Sequence, residues 1–240
     1  MNSLESEARV GDNGSMFGSL HFSSNAPESE LREAIVACGK IAYERRLVTS
    51  NDGNISVRIG EDRCLITPAG MCKGRMAIDD LLVLDFDGKV LFAKQGYKPS
   101  SETPMHLEVY RQRPDVRGVI HAHPIFATTL TVAGFPFPNN VLPEVLLTLE
   151  KVPTTRYAMP SSHEDADAIR DLIREHDALL LRQHGTLTVS KDLEGALIAQ
   201  ERIEHVAEVF WRAQMLGNVE RIPLEAMVRL IVVQELNRGI

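Results

Sequence analysis

Hydrophobic residues recur along this chain at two different periods, and the switching between them predicts a fold that mixes helices with strands. Leu31, Ile35, Cys38, Ile41 and Ala42 stand three or four positions apart, which predicts a helix opening near Ser29 and running to about Leu47. From Ile55 the period drops to two. Ile55-Ser56-Val57-Arg58-Ile59 and Cys64-Leu65-Ile66-Thr67 read as strands joined by a Gly60-Glu61-Asp62 turn. Residues 81–86 and 89–92 repeat the pattern around Asp87-Gly88, a strong hairpin signal. A helix follows Ser101, through Met105, Val109 and Tyr110, and ends before Pro114. Residues 118–121 form a short apolar strand, and Pro124 opens a helix to about Val132. Ser162 with Glu164 and Asp165 opens another, to about His176. Residues 178–181 and 187–189 read as strands, Asp192 caps a long helix to Gly217, and a last helical segment spans residues 224–236. Hairpins set among helices imply a layered α/β domain with a largely antiparallel or mixed sheet rather than a regular βαβ winding. Residues 1–27 follow neither period and are rich in Gly, Ser, Asn and Glu, so they are expected as a disordered tail ahead of a single domain over 28–240.

Composition narrows the class. Hydrophobic residues make up 44% and charged residues 25% of the 240 positions, the balance of an ordinary globular protein. The formal net charge of −7 argues against nucleic acid as the main partner, while local backbone amides or a metal still suit a small anion. Cys38, Cys64 and Cys72 are odd in number and contain no C-x-x-C pair, which points away from a disulfide framework and towards a reducing compartment. Each reads as a small apolar residue. The first residues carry neither a basic stretch nor an apolar one, and no run of 18 apolar residues occurs, so the expected location is the cytoplasm, with no membrane partner.

The candidate chemistry sits at strand ends. His121-Ala122-His123 closes the apolar strand at 118–121, and side chains at i and i+2 share a face, so both imidazoles can converge on one ion. His184, in Gln183-His184-Gly185, also follows an apolar strand. Three histidines with an open position form the pattern of a catalytic zinc-type site. Glu102, after the Ser100-Ser101 pair, reads either as a carboxylate favoured by a helix N-terminus or as a general acid/base and ligand beside the metal. Three turns are built of small residues: Asp52-Gly53-Asn54, Thr67-Pro68-Ala69-Gly70 and Pro99-Ser100-Ser101. Their backbone N–H groups and the two serine hydroxyls suit an anion, although each taken singly is also an ordinary turn. Lys73 and Lys98 lie near these turns, where most lysines are simply solvated.

Taken together and in order, these motifs resemble the class II aldolase/adducin family. They are Gly53-Asn54-Ile55-Ser56, Thr67-Pro68-Ala69-Gly70, Pro99-Ser100-Ser101-Glu102, His121-Ala122-His123-Pro124, Pro143-Glu144 with Val152-Pro153, Tyr157, and Gln183-His184-Gly185. The resemblance implies a three-layer α/β/α domain around a mixed, mainly antiparallel sheet, in a homotetramer. It implies zinc, or a similar divalent ion such as Mn2+ or Co2+, on His121, His123 and His184, with Glu102 as a further ligand or acid/base. It also implies that Gly53, Asn54, Gly70, Ser100 and Ser101 surround the phosphate of a small phosphorylated sugar or sugar acid. Two departures stand out. Ala69 occupies a position where phosphate-binding members often carry a hydroxyl. Leu142 falls about where aldolases of the family place a tyrosine acid, which leaves Glu144 as a candidate replacement.

The activity implied first is retro-aldol cleavage of a phosphorylated ketose through a metal-stabilised enediolate, with Glu102 returning the proton. A carboxylate among anions is expected to have a raised pKa, which suits that exchange. The alternatives are decarboxylation of a phosphorylated 3-oxo sugar acid, and epimerisation or dehydration of a pentulose phosphate. A non-catalytic adducin-like module is disfavoured, because all three histidines and Glu102 are present.

Overall fold

The computed structural model describes residues 20–23 and 25–238. The elements run α1 (Glu28–Glu44), β1 (Asn54–Ile59), β2 (Arg63–Ile66), β3 (Leu82–Asp85), β4 (Val90–Phe92), α2 (Thr103–Gln112), β5 (Gly118–Ala122), α3 (Ile125–Val132), α4 (Pro143–Thr148), α5 (His163–Ile169), β6 (Ala178–Leu181), β7 (Gly185–Ser190), α6 (Leu193–Met215) and α7 (Leu224–Arg238). The strands form one sheet in the order β4-β3-β2-β1-β5-β7-β6. Every pairing of named strands is antiparallel, and the expected mixed character reduces to one isolated parallel bridge between Thr154 and Leu180.

Strand alternation sends successive side chains to opposite helix layers. Ile55, Val57, Leu65, Ile120 and Ala122 pack with Leu31, Ile35 and Cys38 of α1 and with Leu193 and Leu197 of α6. On the other face Cys64, Ile66, Leu84, Val119 and Leu187 pack with Met105 and Val109 of α2 and Ile169 of α5. A third cluster joins Ala178 and Leu180 of β6 to Leu130, Val145 and Ile203 from α3, α4 and α6. The chain is thus a three-layer α/β/α domain. Cys38 and Cys64 are buried, and Cys72 is half-buried.

Three boundaries differ from the sequence pattern. α1 stops at Glu44, not Leu47, because Arg46 turns into the left-handed region at φ 61°. The Leu47 N–H then bonds the Ala42 carbonyl at 2.9 Å, and Leu47 reaches the core through this turn. The helix expected from Ser162 to about His176 breaks after Ile169 and resumes as a 3-10 turn over Leu172–Arg174, which keeps both Ile169 and Ile173 buried. Within the stretch read as a tail, Phe22 is only 5% exposed and joins the core, and His21 meets Asp192 at 2.6 Å. The rest of that expectation, residues 1–19, lies outside the described residues.

Candidate functional site

Antiparallel pairing brings the end of one strand beside the start of the next. Asn54, first in β1, pairs with His121 near the end of β5, and Ala122 pairs with Thr186 near the start of β7. His184 sits in the turn between β6 and β7, where Gln183 adopts φ 55° and the His184 N–H bonds the Leu181 carbonyl at 3.1 Å. Glu102 precedes the first residue of α2. One edge of the central strands therefore collects all four residues.

Gly185 is required there by space. A Cβ at this position would lie 2.3 Å from the Ala122 carbonyl oxygen and 2.8 Å from His123 Cδ2. Gly185→Ala must push the two strand ends apart, so a loss of about 1–3 kcal/mol is expected. Urea denaturation checks the stability, and metal content checks whether His123 has moved. An unchanged urea midpoint would contradict the crowding.

His121 and His123 face each other with Nε2 atoms 2.9 Å apart. His121 is fully buried, and its Nδ1–H donates to the Thr186 carbonyl at 2.8 Å, which leaves Nε2 free to coordinate. His184 Nε2 meets Glu102 Oε1 at 2.9 Å, and His121 Nε2 lies 3.4 Å from Glu102 Oε2. All four ligand atoms lie within 4.8 Å of one another. Opposed imidazole nitrogens beside a carboxylate attract a cation, and three nitrogens with one oxygen is a donor set for zinc and similar divalent ions. The residues fit such an ion.

The electrostatics agree, with one correction. Burial alone would raise the Glu102 carboxyl, but the charges and hydrogen bonds of His121 and His184 outweigh it and hold the group well below the usual carboxylate range. The expected raised pKa is not found: Glu102 is anionic in the free site. His123 is pushed down to about 3 by burial and then by neighbouring His121 and His184, so it stays neutral and able to coordinate. For His121, burial is outweighed in the other direction by Glu102, and its pKa rises.

Beside this cluster lies a cleft of about 230 Å³, whose walls include Gly53, Asn54, Gly70, Ser100, Ser101 and Glu102. The three small-residue turns thus converge, although they are far apart in sequence. Gly53 has φ 71°, and a Cβ there would meet Val48 at 2.6 Å. Ala69 also lines the cleft, presenting no hydroxyl.

Lys73 lines the same cleft and is buried, unlike an ordinary solvated lysine. Its Nζ donates to the carbonyls of Asn51 at 3.0 Å and Met71 at 2.6 Å, and burial lowers its pKa to about 8. Lys98 is exposed and contributes only its carbonyl, to the Ala69 N–H. Two residues missed in the sequence support the rim. Ser161 bonds Ser101, hydroxyl to hydroxyl, at 2.7 Å, and buried Asp165 behind it accepts the Ser161 N–H at 3.1 Å, near enough to His184 to feel its charge. Neither carried a signal beyond its place near a helix start. Leu142 and Glu144 line a separate hollow with His205, and Glu144 is exposed, so within one chain neither reaches the cleft. Among the described residues, the larger hollows, of about 360 and 320 Å³, hold no comparable set of converging ligands.

A carboxylate and three imidazoles gathered at the edge of an antiparallel sheet, next to an anion-sized cleft, define a metal-dependent enzyme class. Residues 33–211 match the family Class II Aldolase and Adducin N-terminal domain. The chain belongs to this family, which is metal-dependent and whose enzymes include aldolases and decarboxylases. It is 32% identical over 187 residues, covering 76% of this chain and 88% of the relative, to a 3-oxo-tetronate 4-phosphate decarboxylase of Haemophilus influenzae. To an L-fuculose phosphate aldolase of Methanococcus maripaludis it is 30% identical over 180 residues, 75% of this chain and 95% of that one. Among solved structures, an L-fuculose-1-phosphate aldolase from Thermus thermophilus superposes with a TM-score of 0.70 at 27% identity, covering 80% of this chain and 98% of the other. No helix among the described residues is long and apolar enough to cross a membrane.

Proposed function

We propose that this protein is a divalent-metal-dependent lyase that cleaves a phosphorylated ketose by a retro-aldol reaction, in the manner of L-fuculose-1-phosphate aldolase. The observation that carries this reading is the position of Glu102. One carboxylate oxygen faces His184, while the other accepts the Asn54 amide at 2.7 Å on the wall of the cleft. A proton-transferring group therefore lies between the metal ligands and the place for the substrate's anion.

His121, His123 and His184, with Glu102 before substrate enters, are assigned as ligands of zinc or a similar divalent ion. When bound, such an ion supplies Lewis acidity towards a carbonyl and its neighbouring hydroxyl. The hydroxyls of Ser100 and Ser101 and the backbone at Gly53, Asn54 and Gly70 hold the phosphate. Lys73 adds positive charge from below. Glu102, anionic in the free site, takes a proton from the hydroxymethyl carbon of dihydroxyacetone phosphate in the synthetic direction. In cleavage it returns the same proton.

Decarboxylation of a phosphorylated 3-oxo sugar acid is the second reading. It draws on the decarboxylase relative and on Leu142, which has no hydroxyl to take the proton that a substrate hydroxyl must lose as it becomes the aldehyde. The two readings separate by product. Zinc-loaded protein is offered ketose 1-phosphates and 3-oxo-tetronate 4-phosphate, and the aldehyde and released carbon dioxide are measured, because both reactions leave dihydroxyacetone phosphate. Dihydroxyacetone phosphate with an aldehyde is the expected result. Dihydroxyacetone phosphate with carbon dioxide, and no aldehyde from any ketose 1-phosphate, would replace the aldol reading by the second.

We further propose that residues 28–240 form one cytoplasmic domain that assembles as a homotetramer. The exposed apolar side chains Leu224, Val228, Ile231 and Val232 of α7 support this by offering surface for contact between copies.

A further inference from the structure

Sheet positions beneath a helix layer are normally apolar, yet β1 presents Asn54, Ser56 and Arg58 to α2, and all three are buried. Against them stand Glu102, His106 and Tyr110, four residues apart and so on one side of α2. The two rows are joined rung by rung. Asn54 Nδ2 donates to Glu102 Oε2 at 2.7 Å and to Ser100 Oγ at 3.3 Å. Asn54 Oδ1 lies 2.5 Å from His106 Nε2, and His106 Nδ1 lies 2.7 Å from Ser56 Oγ. Ser56 Oγ is 2.7 Å from the Tyr110 hydroxyl.

This chain admits one placement of its protons. A carboxylate only accepts, so the amide nitrogen of Asn54 faces Glu102 and its oxygen faces His106. Nε2 of His106 must then carry the ring proton. His106 is fully buried and stays neutral, since burial, and after it the nearby His121, lowers its pKa to about 3. Its Nδ1 is therefore bare and accepts the Ser56 O–H, and Ser56 in turn accepts the Tyr110 O–H at 2.7 Å, with the Arg117 carbonyl a longer second acceptor at 3.4 Å. Every donor points along one path that ends at Glu102.

We propose that His106 is a positioning residue: by locking the Asn54 amide in one orientation through its Nε2–H, it aims the Glu102 carboxylate between the metal ligands and the cleft. Without that N–H, the Asn54 amide is free to turn its oxygen towards the carboxylate. The role of Glu102 in proton transfer rests on the reading above. The aim of its carboxylate does not.

Two variants of the full chain separate positioning from bulk. His106→Gln carries an amide N–H to the position of Nε2 and keeps the bond to Asn54. His106→Asn reaches only the position of Nδ1, so it keeps a partner for Ser56 and loses Asn54. Zinc affinity is measured by competition with a chromophoric chelator, and kcat and KM with the substrate that turns over. His106→Asn is expected to lose roughly 10–100-fold in zinc affinity and in kcat, at little cost in KM, while His106→Gln recovers most of both. Nitrogen NMR of the isotope-labelled wild type, with the His106 ring assigned through its side-chain couplings, is expected to show that ring neutral, protonated at Nε2 and bare at Nδ1. A His106 ring protonated at Nδ1 would overturn the proposal, as would equal losses in the two variants or none in either. If no tested sugar phosphate turns over, the reaction reading fails, while tautomer and zinc affinity still decide this one. If neither variant folds, the tautomer decides alone.

Discussion

His121→Ala is expected to take the protein from about one divalent ion per chain to almost none. Of the four proposed ligands, His121 is the one the fold invests in most. It is fully buried, and the Thr186 carbonyl fixes its ring. Its Nε2 is the nearest ring nitrogen to His123 and also borders Glu102. Removing the ring leaves His123 without its facing partner and the His184–Glu102 pair on the other side, a remnant that binds divalent ions weakly. Loss of a ligand should exceed the 10–100-fold that supporting residues typically contribute, so affinity should fall by at least about 100-fold, and turnover with it. Elemental analysis of protein purified with zinc present reads the first effect. The exposed His163, which lines a different hollow, is the control and should keep its metal when replaced by alanine. Circular dichroism must show that the His121 variant is folded. A folded variant that still holds one ion per chain would remove His121 from the ligand set.

How much of this could be read in the sequence follows from which interactions are local. The strand pairs β1–β2, β3–β4 and β6–β7 announce themselves as hairpins, and the histidines at 121, 123 and 184 stand at the ends of apolar runs. The pairings that join them, β1 with β5 and β5 with β7, are long-range and have no local signature. Polar alternation in Asn54, Ser56 and Arg58 ordinarily marks a solvent face, yet here it marks a buried seam against α2, made tolerable by Glu102, His106, Tyr110 and the carbonyls that take up the Arg58 guanidinium. Lys73 misleads in the same way. Nothing in Cys72-Lys73-Gly74 says that two backbone carbonyls, at Asn51 and Met71, will take up its ammonium. The raised pKa expected for Glu102 assumed that anions would surround it, whereas the fold places two imidazoles against it.

Glu102→Gln keeps shape and removes charge, so it isolates the chemistry. The glutamine oxygen can still accept the Asn54 amide, and its nitrogen faces His184, so the fold should survive. Three histidines remain to hold the metal, and zinc is expected to stay bound, though less tightly. What is lost is the group proposed to take a proton from carbon. General acid/base catalysis is typically worth about 100- to 10,000-fold, and a loss of kcat in that range is expected, with KM changed far less. A partial reaction makes the assignment sharper than turnover does. In deuterium oxide, the wild type with dihydroxyacetone phosphate alone should wash deuterium into the hydroxymethyl carbon, because abstraction needs no aldehyde. The Glu102→Gln protein, with metal bound, should not. If it exchanged at the wild-type rate, another base would be moving the proton. Glu102 would then be a ligand alone, and Asp165, buried and near enough to His184 to feel its charge, would be the next residue to replace.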